Sequence, residues 1–245
     1  MAFPSDVQGA YGYEKKETSA QKHALGTKMV FLDGREFRYV EMGGTAVAEG
    51  LIVAAEAPAG NHDEDLAVAS ASAGATSITV TLGATAAVKN LYAEGFLFLN
   101  LASTTPHELY KIKSHDAADG SATLTANLHD NDYLHTAIVN GTDTAGLIKS
   151  PYKDLVVAPA AVAGRFVGLT VNNFTADYFG WVQTSGIAVA KIDGTPAVGT
   201  LVGASSNHAG QLLAVAADTT PALARLHGKA GVDNEYHTVF LQNLN

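Results

Sequence analysis

Between Gly164 and Val202 the chain offers almost nothing but short strands and tight turns. Val167–Val171, Tyr178–Thr184, Ile187–Ile192 and Thr200–Val202 are rich in β-branched and aromatic residues. Asn172-Asn173, Ser185-Gly186 and Asp193-Gly194 interrupt them with residue types that favour turns. The stretch holds the sole tryptophan, Trp181, and very few charges. A fold organised around it must be built from sheets, and Ser185-Gly186 is expected to be a hairpin turn.

The rest of the chain repeats this logic. Beyond Ser150-Pro151-Tyr152, which reads as a junction, further strands are expected at Leu155–Val157, Gln211–Val215 and Tyr236–Leu241. Before the junction, Thr76–Leu82 alternates strictly, with Ile78, Val80 and Leu82 on one face. Phe96–Leu101, Glu108–Ser114 and Ser121–Leu128 complete four strands within a short span, which describes a small antiparallel barrel or sandwich. Asp33-Gly34 lies between the strand-like runs Lys28–Leu32 and Arg35–Met42 and predicts a hairpin with a type I′ turn. Val47–Pro58 is Ala-rich and reads as strand or short helix; Thr85–Leu91 reads as a helical turn. The expected fold class is all-β: two small antiparallel barrel or sandwich domains preceded by an extended N-terminal arm. The boundaries are 1–27 for the arm, 28–150 for a hairpin plus small barrel, and 151–245 for a second sandwich or barrel.

Two readings stand for residues 1–27. They lack a sustained period but carry Phe3, Tyr11 and Tyr13. One reading is a plain tail; the other is an arm that orders on a neighbouring subunit with the aromatics as anchors.

Composition narrows the function. Only 16% of the 245 residues are charged, the formal net charge is −9, and the 15 basic residues are scattered. Direct nucleic-acid binding needs clustered Lys and Arg, so it is not expected. The absence of cysteine removes disulfides, thiolate metal sites and cysteine nucleophiles. No basic-then-apolar leader opens the sequence and no apolar run approaches membrane-spanning length, so a soluble protein made in a cytoplasm is expected.

Chemistry-bearing motifs are sparse. There is no phosphate loop, dinucleotide-binding turn or nucleophile elbow. Asp63, Glu64 and Asp65 form an acidic loop without the spacing of a calcium hand. His115-Asp116, His129–Asp132 and His135 are the best metal-like set, yet all lie at strand ends and in loops. No catalytic residue, cofactor or metal is therefore assigned.

Tyr178-Phe-Gly-Trp-Val-Gln-Thr-Ser-Gly-Ile-Ala-Val-Ala190 resembles a recurring pattern of tailed-bacteriophage virion proteins. In it an aromatic-Gly-Trp-Val-Gln strand is followed by a glycine and a small-residue strand. Leu25-Gly-Thr-Lys28, Ala75–Thr85, Tyr92-Ala-Glu-Gly95, Tyr110–His115 and Glu235–Val239 fit the same group in order along the chain. Ser103-Thr-Thr-Pro-His107 departs from it where a Gly-rich turn is expected. The resemblance implies a capsid decoration (cement) or related head structural protein. Such a protein binds the major capsid protein on the outside of the shell as a trimer, without direct nucleic-acid or membrane contact, and stabilises the capsid. On that reading Phe3, Tyr11 and Tyr13 contact the capsid, and Trp181, Tyr178 and Phe179 belong to the domain core or a subunit interface. The rivals are a tail or fibre protein that binds host glycan, and a polysaccharide hydrolase.

Overall fold

The computed structural model describes residues 6–102, 107–160, 165–215, 221–242 and 244. Among them the first strands are β1 (Asp6–Gln8), β2 (Lys28–Val30), β3 (Glu36–Glu41), β4 (Ile52–Ala54), β5 (Leu66–Ala67) and β6 (Ser77–Thr81). Then come β7 (Phe96–Asn100), β8 (His107–Ser114), β9 (Thr123–Leu128), β10 (Thr144–Ile148), β11 (Val156–Val157) and β12 (Phe166–Thr170). The last are β13 (Phe179–Lys191), β14 (Leu201–Ala204), β15 (Leu212–Ala214), β16 (Ala224–Leu226) and β17 (Tyr236–Leu241). One short 3-10 turn, Tyr13–Lys15, is the only helical element among the described residues. The protein is all-β. Val47–Pro58 resolves as the strand β4, and Thr85–Leu91 as an extended bridge of Ala87 to Ala118 followed by a turn with Asn90 at φ 60°.

The chain divides into two compact units. One takes the chain up to Glu56 and again from Pro151; the other is Ala57–Ser150. Residues 28–56 were expected to belong with the barrel that follows them. They belong instead with the strands after Pro151, because β3 pairs with β13 and β4 pairs with β12. The second unit is thus an insertion in the first.

In the first unit the sheet runs β1-β2-β3-β13-β17-β16-β14-β15, and β12 joins β13 to β4, which carries β11. The expected turn at Ser185-Gly186 is absent: β13 continues through it as one strand of 13 residues. Phe179–Ser185 pairs with β3, and Gly186–Lys191 pairs with β17. The register slips between Gln183 and Ser185, and Gly186 sits at φ +88°. A bulge and a glycine at positive φ bend a strand without ending it. The residues that look like a hairpin turn therefore pass β13 from one set of partners to another.

Alternation along β13 feeds different cores. Trp181 packs with Met29, Phe31, Phe37 and Tyr39; Val182 packs with Val40, Met42, Val53 and Phe174. Further along, Ala188 and Ala190 join Ile192, Val202, Leu212, Val239 and Leu241. The Asp33-Gly34 hairpin forms, but not with the expected type I′ turn. Only Gly34 has positive φ (84°), the Gly34 N–H donates to Phe31 C=O, and the Phe31 N–H donates to Arg35 C=O. This is the three-residue loop in which a type I turn is followed by a left-handed glycine.

From Asp6 onward the opening segment is built onto its own unit. β1 pairs with β2 in parallel. Thr18 and Phe179 exchange two backbone hydrogen bonds of 2.9 Å. The Glu17 carboxylate accepts from the Thr175 N–H (2.8 Å) and hydroxyl (2.7 Å). The Lys22 N–H donates to the Tyr39 hydroxyl at 2.9 Å.

The second unit is a six-stranded sheet in the order β5-β10-β7-β8-β9-β6, nearly closed by a bridge between Val68 and Val80. Ile78, Val80, Leu97, Leu99, Tyr110, Ile112, Leu124, Ala126, Ala145 and Leu147 fill its interior. Each strand contributes alternate residues, as a small barrel requires. Two buried histidines are held in the same core. His62 meets the Tyr92 hydroxyl through Nδ1 (2.5 Å) and Thr85 C=O through Nε2 (2.8 Å). His115 Nε2 accepts from the Tyr92 N–H at 3.0 Å, and its Nδ1 donates to Asp116 C=O at 2.7 Å. A carbonyl only accepts and an amide only donates, so His115 must carry its proton on Nδ1. Burial, with Asp63 nearby, pushes the Tyr92 phenol up to about 12.

Candidate interaction surface

The aromatics singled out from the sequence separate into buried and exposed. Trp181 is 2% exposed; its ring lies 5.0 Å from Tyr39, 5.3 Å from His23 and 6.3 Å from Tyr13, centroid to centroid. It is a core residue of the first unit. Tyr13 is half-buried against it. Phe179 stacks on Tyr39 at 6.3 Å, and Tyr178 is half-buried beside it. Tyr11 remains 68% exposed, its ring 5.4 Å from Phe31 and near the Arg35 guanidinium. Phe3 lies outside the described residues.

The metal-like histidines do not converge. His115 is committed to the barrel core, while His135 stacks against Tyr110 at 6.2 Å and lies tilted against Tyr133 at 4.9 Å. Among the described residues no three His, Asp or Glu side chains are placed to hold a metal ion. Tyr110 donates to the Glu108 carboxylate and accepts from the His135 N–H at 2.9 Å. Burial works to raise the Glu108 carboxyl, and hydrogen bonds from Thr136 and Tyr110 outweigh it and hold it low.

Asp193, Ser205 and His208 come together in the first unit, a grouping that sequence spacing did not reveal. The Ser205 hydroxyl donates to Asp193 Oδ2 at 2.5 Å and accepts from the backbone N–H groups of Asn207 (2.9 Å) and His208 (3.0 Å). His208 Nδ1 lies 3.4 Å from Asp193 Oδ1. In a nucleophilic triad the imidazole stands between serine and carboxylate. Here the carboxylate holds both partners, and the serine ties a turn. Burial works to raise the Asp193 carboxyl; the hydrogen bonds from Ser205, Asn207 and His208 outweigh it and hold it below the usual range.

The outer face of β13 and β17 has a different character. Ile187 and Val189 point outward from β13, and Tyr236 and Phe240 point outward from β17. Their exposures are 42%, 51%, 49% and 48%. Ile187 stands directly opposite Phe240, and Lys191 opposite Tyr236. The inward alternates Ala188, Ala190, Val239 and Leu241 fix the two strands to the core. Four large apolar side chains thus stand on a double ladder anchored from below. Fully burying such a side chain is worth roughly 1.5–3 kcal/mol, so covering the exposed halves returns about half of that from each.

A groove of about 470 Å³ adjoins this face. Lys15, Arg35, Glu49, Thr170, Gln183 and Tyr236 line it, among others. Gly50, at φ +72°, forms part of its wall; a Cβ there would stand 2.6 Å from the Tyr236 ring. Gly50 therefore lets the Tyr236 ring lie against the backbone of the wall. The outward direction of Ile187 and Val189 was not legible beforehand, because it depends on which face of β13 the core takes. No family model, no curated protein and no solved structure matches the chain.

Proposed function

We propose that this chain is a capsid decoration (cement) protein of a tailed bacteriophage. It binds the outer surface of the shell as a trimer, partners the major capsid protein and stabilises the particle. The observation that carries this reading is the apolar face formed by Ile187, Val189, Tyr236 and Phe240 on an all-β unit with few charges. Contiguous exposed apolar surface marks interaction sites. A modest patch repeated around a trimer reaches through avidity what one copy cannot. The motif order from Leu25 to Val239 supports the same reading. Exposed Tyr11 is the described member of the expected contact set that remains available to a partner.

The test is where the protein sits and in how many copies. Antibody-labelled electron micrographs of intact particles should show it over the head, and quantitative mass spectrometry should count hundreds of copies per virion. Label confined to the tail, or a handful of copies, would replace this reading with the tail or fibre alternative.

A further inference from the structure

Among the described residues one edge of β13 is uncovered over a short length, and it opens into the groove. On the other edge the ladder with β17 opposes Gly186 to Leu241, Ala188 to Val239 and Ala190 to His237. The Lys191 N–H turns away from that ladder and donates to Gly50 C=O at 2.8 Å. A residue's N–H and C=O point to one side of a strand, and the side alternates along it. Ile187 and Val189 therefore present their backbone groups on the same side as Lys191. The pairing of β12 with β13 ends at Gln183, and the Gln183 amide donates to Ile187 C=O at 2.8 Å. Among the described residues no group meets the N–H of Ile187 or the N–H and C=O of Val189.

The lining of the groove supports this. Ile187, Ala188 and Val189 all contribute to it, although the Ala188 side chain is in the core. Consecutive residues of a strand share one cavity only where the strand's edge is open. Unpaired strand-edge groups are a template for another strand.

We propose that this groove takes an extended peptide segment from another protein chain, which adds a short strand to β13. The Ile187 and Val189 backbone groups supply the pairing, and the Ile187, Val189 and Tyr236 side chains receive alternate apolar side chains. Charge on the rim narrows the occupant. Lys15 is exposed and, among the described residues, in no ion pair; it takes a carboxylate of the segment, beside Arg35. Glu49 on the same rim is likewise exposed and, among the described residues, outside any ion pair, and it takes a basic group. The mixed rim fits a segment with one acid and one base and disfavours a polyanion. As an account of how a capsid is gripped, this inference rests on the proposed function; as a peptide site it stands by itself.

The probe is a fluorescein-labelled, capped octapeptide of alternating Val and Thr with one Asp and one Lys, titrated onto the full chain. The control is the same peptide with two central prolines. Saturable binding should appear for the first and not the second, with amide shifts in NMR spectra centred on Ile187 and Val189. Val189→Pro removes a groove-facing donor together with the valine side chain, and should weaken binding at least about tenfold, the value for one lost backbone hydrogen bond; Val189→Ala, which keeps the donor, should weaken it less. Lys15→Gln should weaken it about two- to fivefold, with the difference erased by salt. Should Val189→Pro fail to fold, hydrogen exchange on the wild type decides: the Val189 amide exchanges fast alone and is protected with peptide. Equal binding of both peptides, shifts centred elsewhere, or no saturable binding would overturn the inference. Peptide binding in a chain that never decorates a head would count against the shell reading alone.

Discussion

Trp181 and Tyr39 oppose each other on paired strands and meet edge to face, 5.0 Å between ring centroids at 64°. The Tyr39 hydroxyl also receives the Lys22 N–H. One aromatic pair therefore joins the central strand to the opening segment of the chain. Tyr39→Phe keeps the ring contact and leaves that N–H without its partner. We expect a loss of about 1 kcal/mol, read as a lower urea midpoint in Trp181 fluorescence. An unchanged midpoint would show that the hydroxyl holds nothing.

Tyr13 tests whether the opening segment belongs to its own unit. Its ring covers Trp181 at 6.3 Å. Tyr13→Ala should admit water to the sole tryptophan and shift its emission to the red in the folded protein. An arm that orders only on a neighbour would leave the emission of the isolated protein where it was.

Gly186 is the bend of β13. At φ +88°, a Cβ there would stand 3.1 Å from the Arg35 Cγ. Left-handed backbone costs a residue with a Cβ roughly 1–2 kcal/mol. Gly186→Ala should lower stability by about that amount in a denaturant titration. A neutral result would mean that the handover between partner strands tolerates another geometry.

Acid should act on the first unit through Asp193. Its carboxyl is held below the ordinary value of 3.8 in the folded state. A group whose folded pKa is depressed contributes stability above its unfolded value and loses it as pH falls through the folded one. The Asp193 contribution is therefore complete near neutrality and disappears below pH 3.8. Asp193→Asn should be less stable at neutral pH and should converge with wild type on acidification. Parallel curves for the two proteins would remove Asp193 from the account.

Much of the fold was legible where the pattern is local. Ser77–Thr81 alternates, and the barrel uses that alternation unchanged. The strands β10 and β16 were missed: Ala145-Gly146 and Ala224 give short, weak signals, and pairing with β7 and with β17 decides them. Ser185-Gly186 misled, because a bulge and a hairpin turn draw on the same residues. The grouping of β3 with β13 was beyond local reading, since nothing near Phe37 announces a partner at Gln183. The candidate surface shared that difficulty. Ile187 and Val189 were readable as one face of a strand, but only the partner strand and core reveal that it is the outer face.

The insertion at Glu56 and Pro151 has a consequence for how the chain comes into being. Ala57–Ser150 contains every strand of its own barrel, so it can close as soon as it leaves the ribosome. β3 and β4 emerge earlier; β3 pairs at once with β2, but its ladder with β13 and both ladders of β4 wait for strands made after the barrel. The first part made is among the last completed, and the barrel is already formed when the ends around it meet. Pulse-labelled hydrogen exchange during refolding should find Leu97 and Ile112 protected before Val40 and Val53.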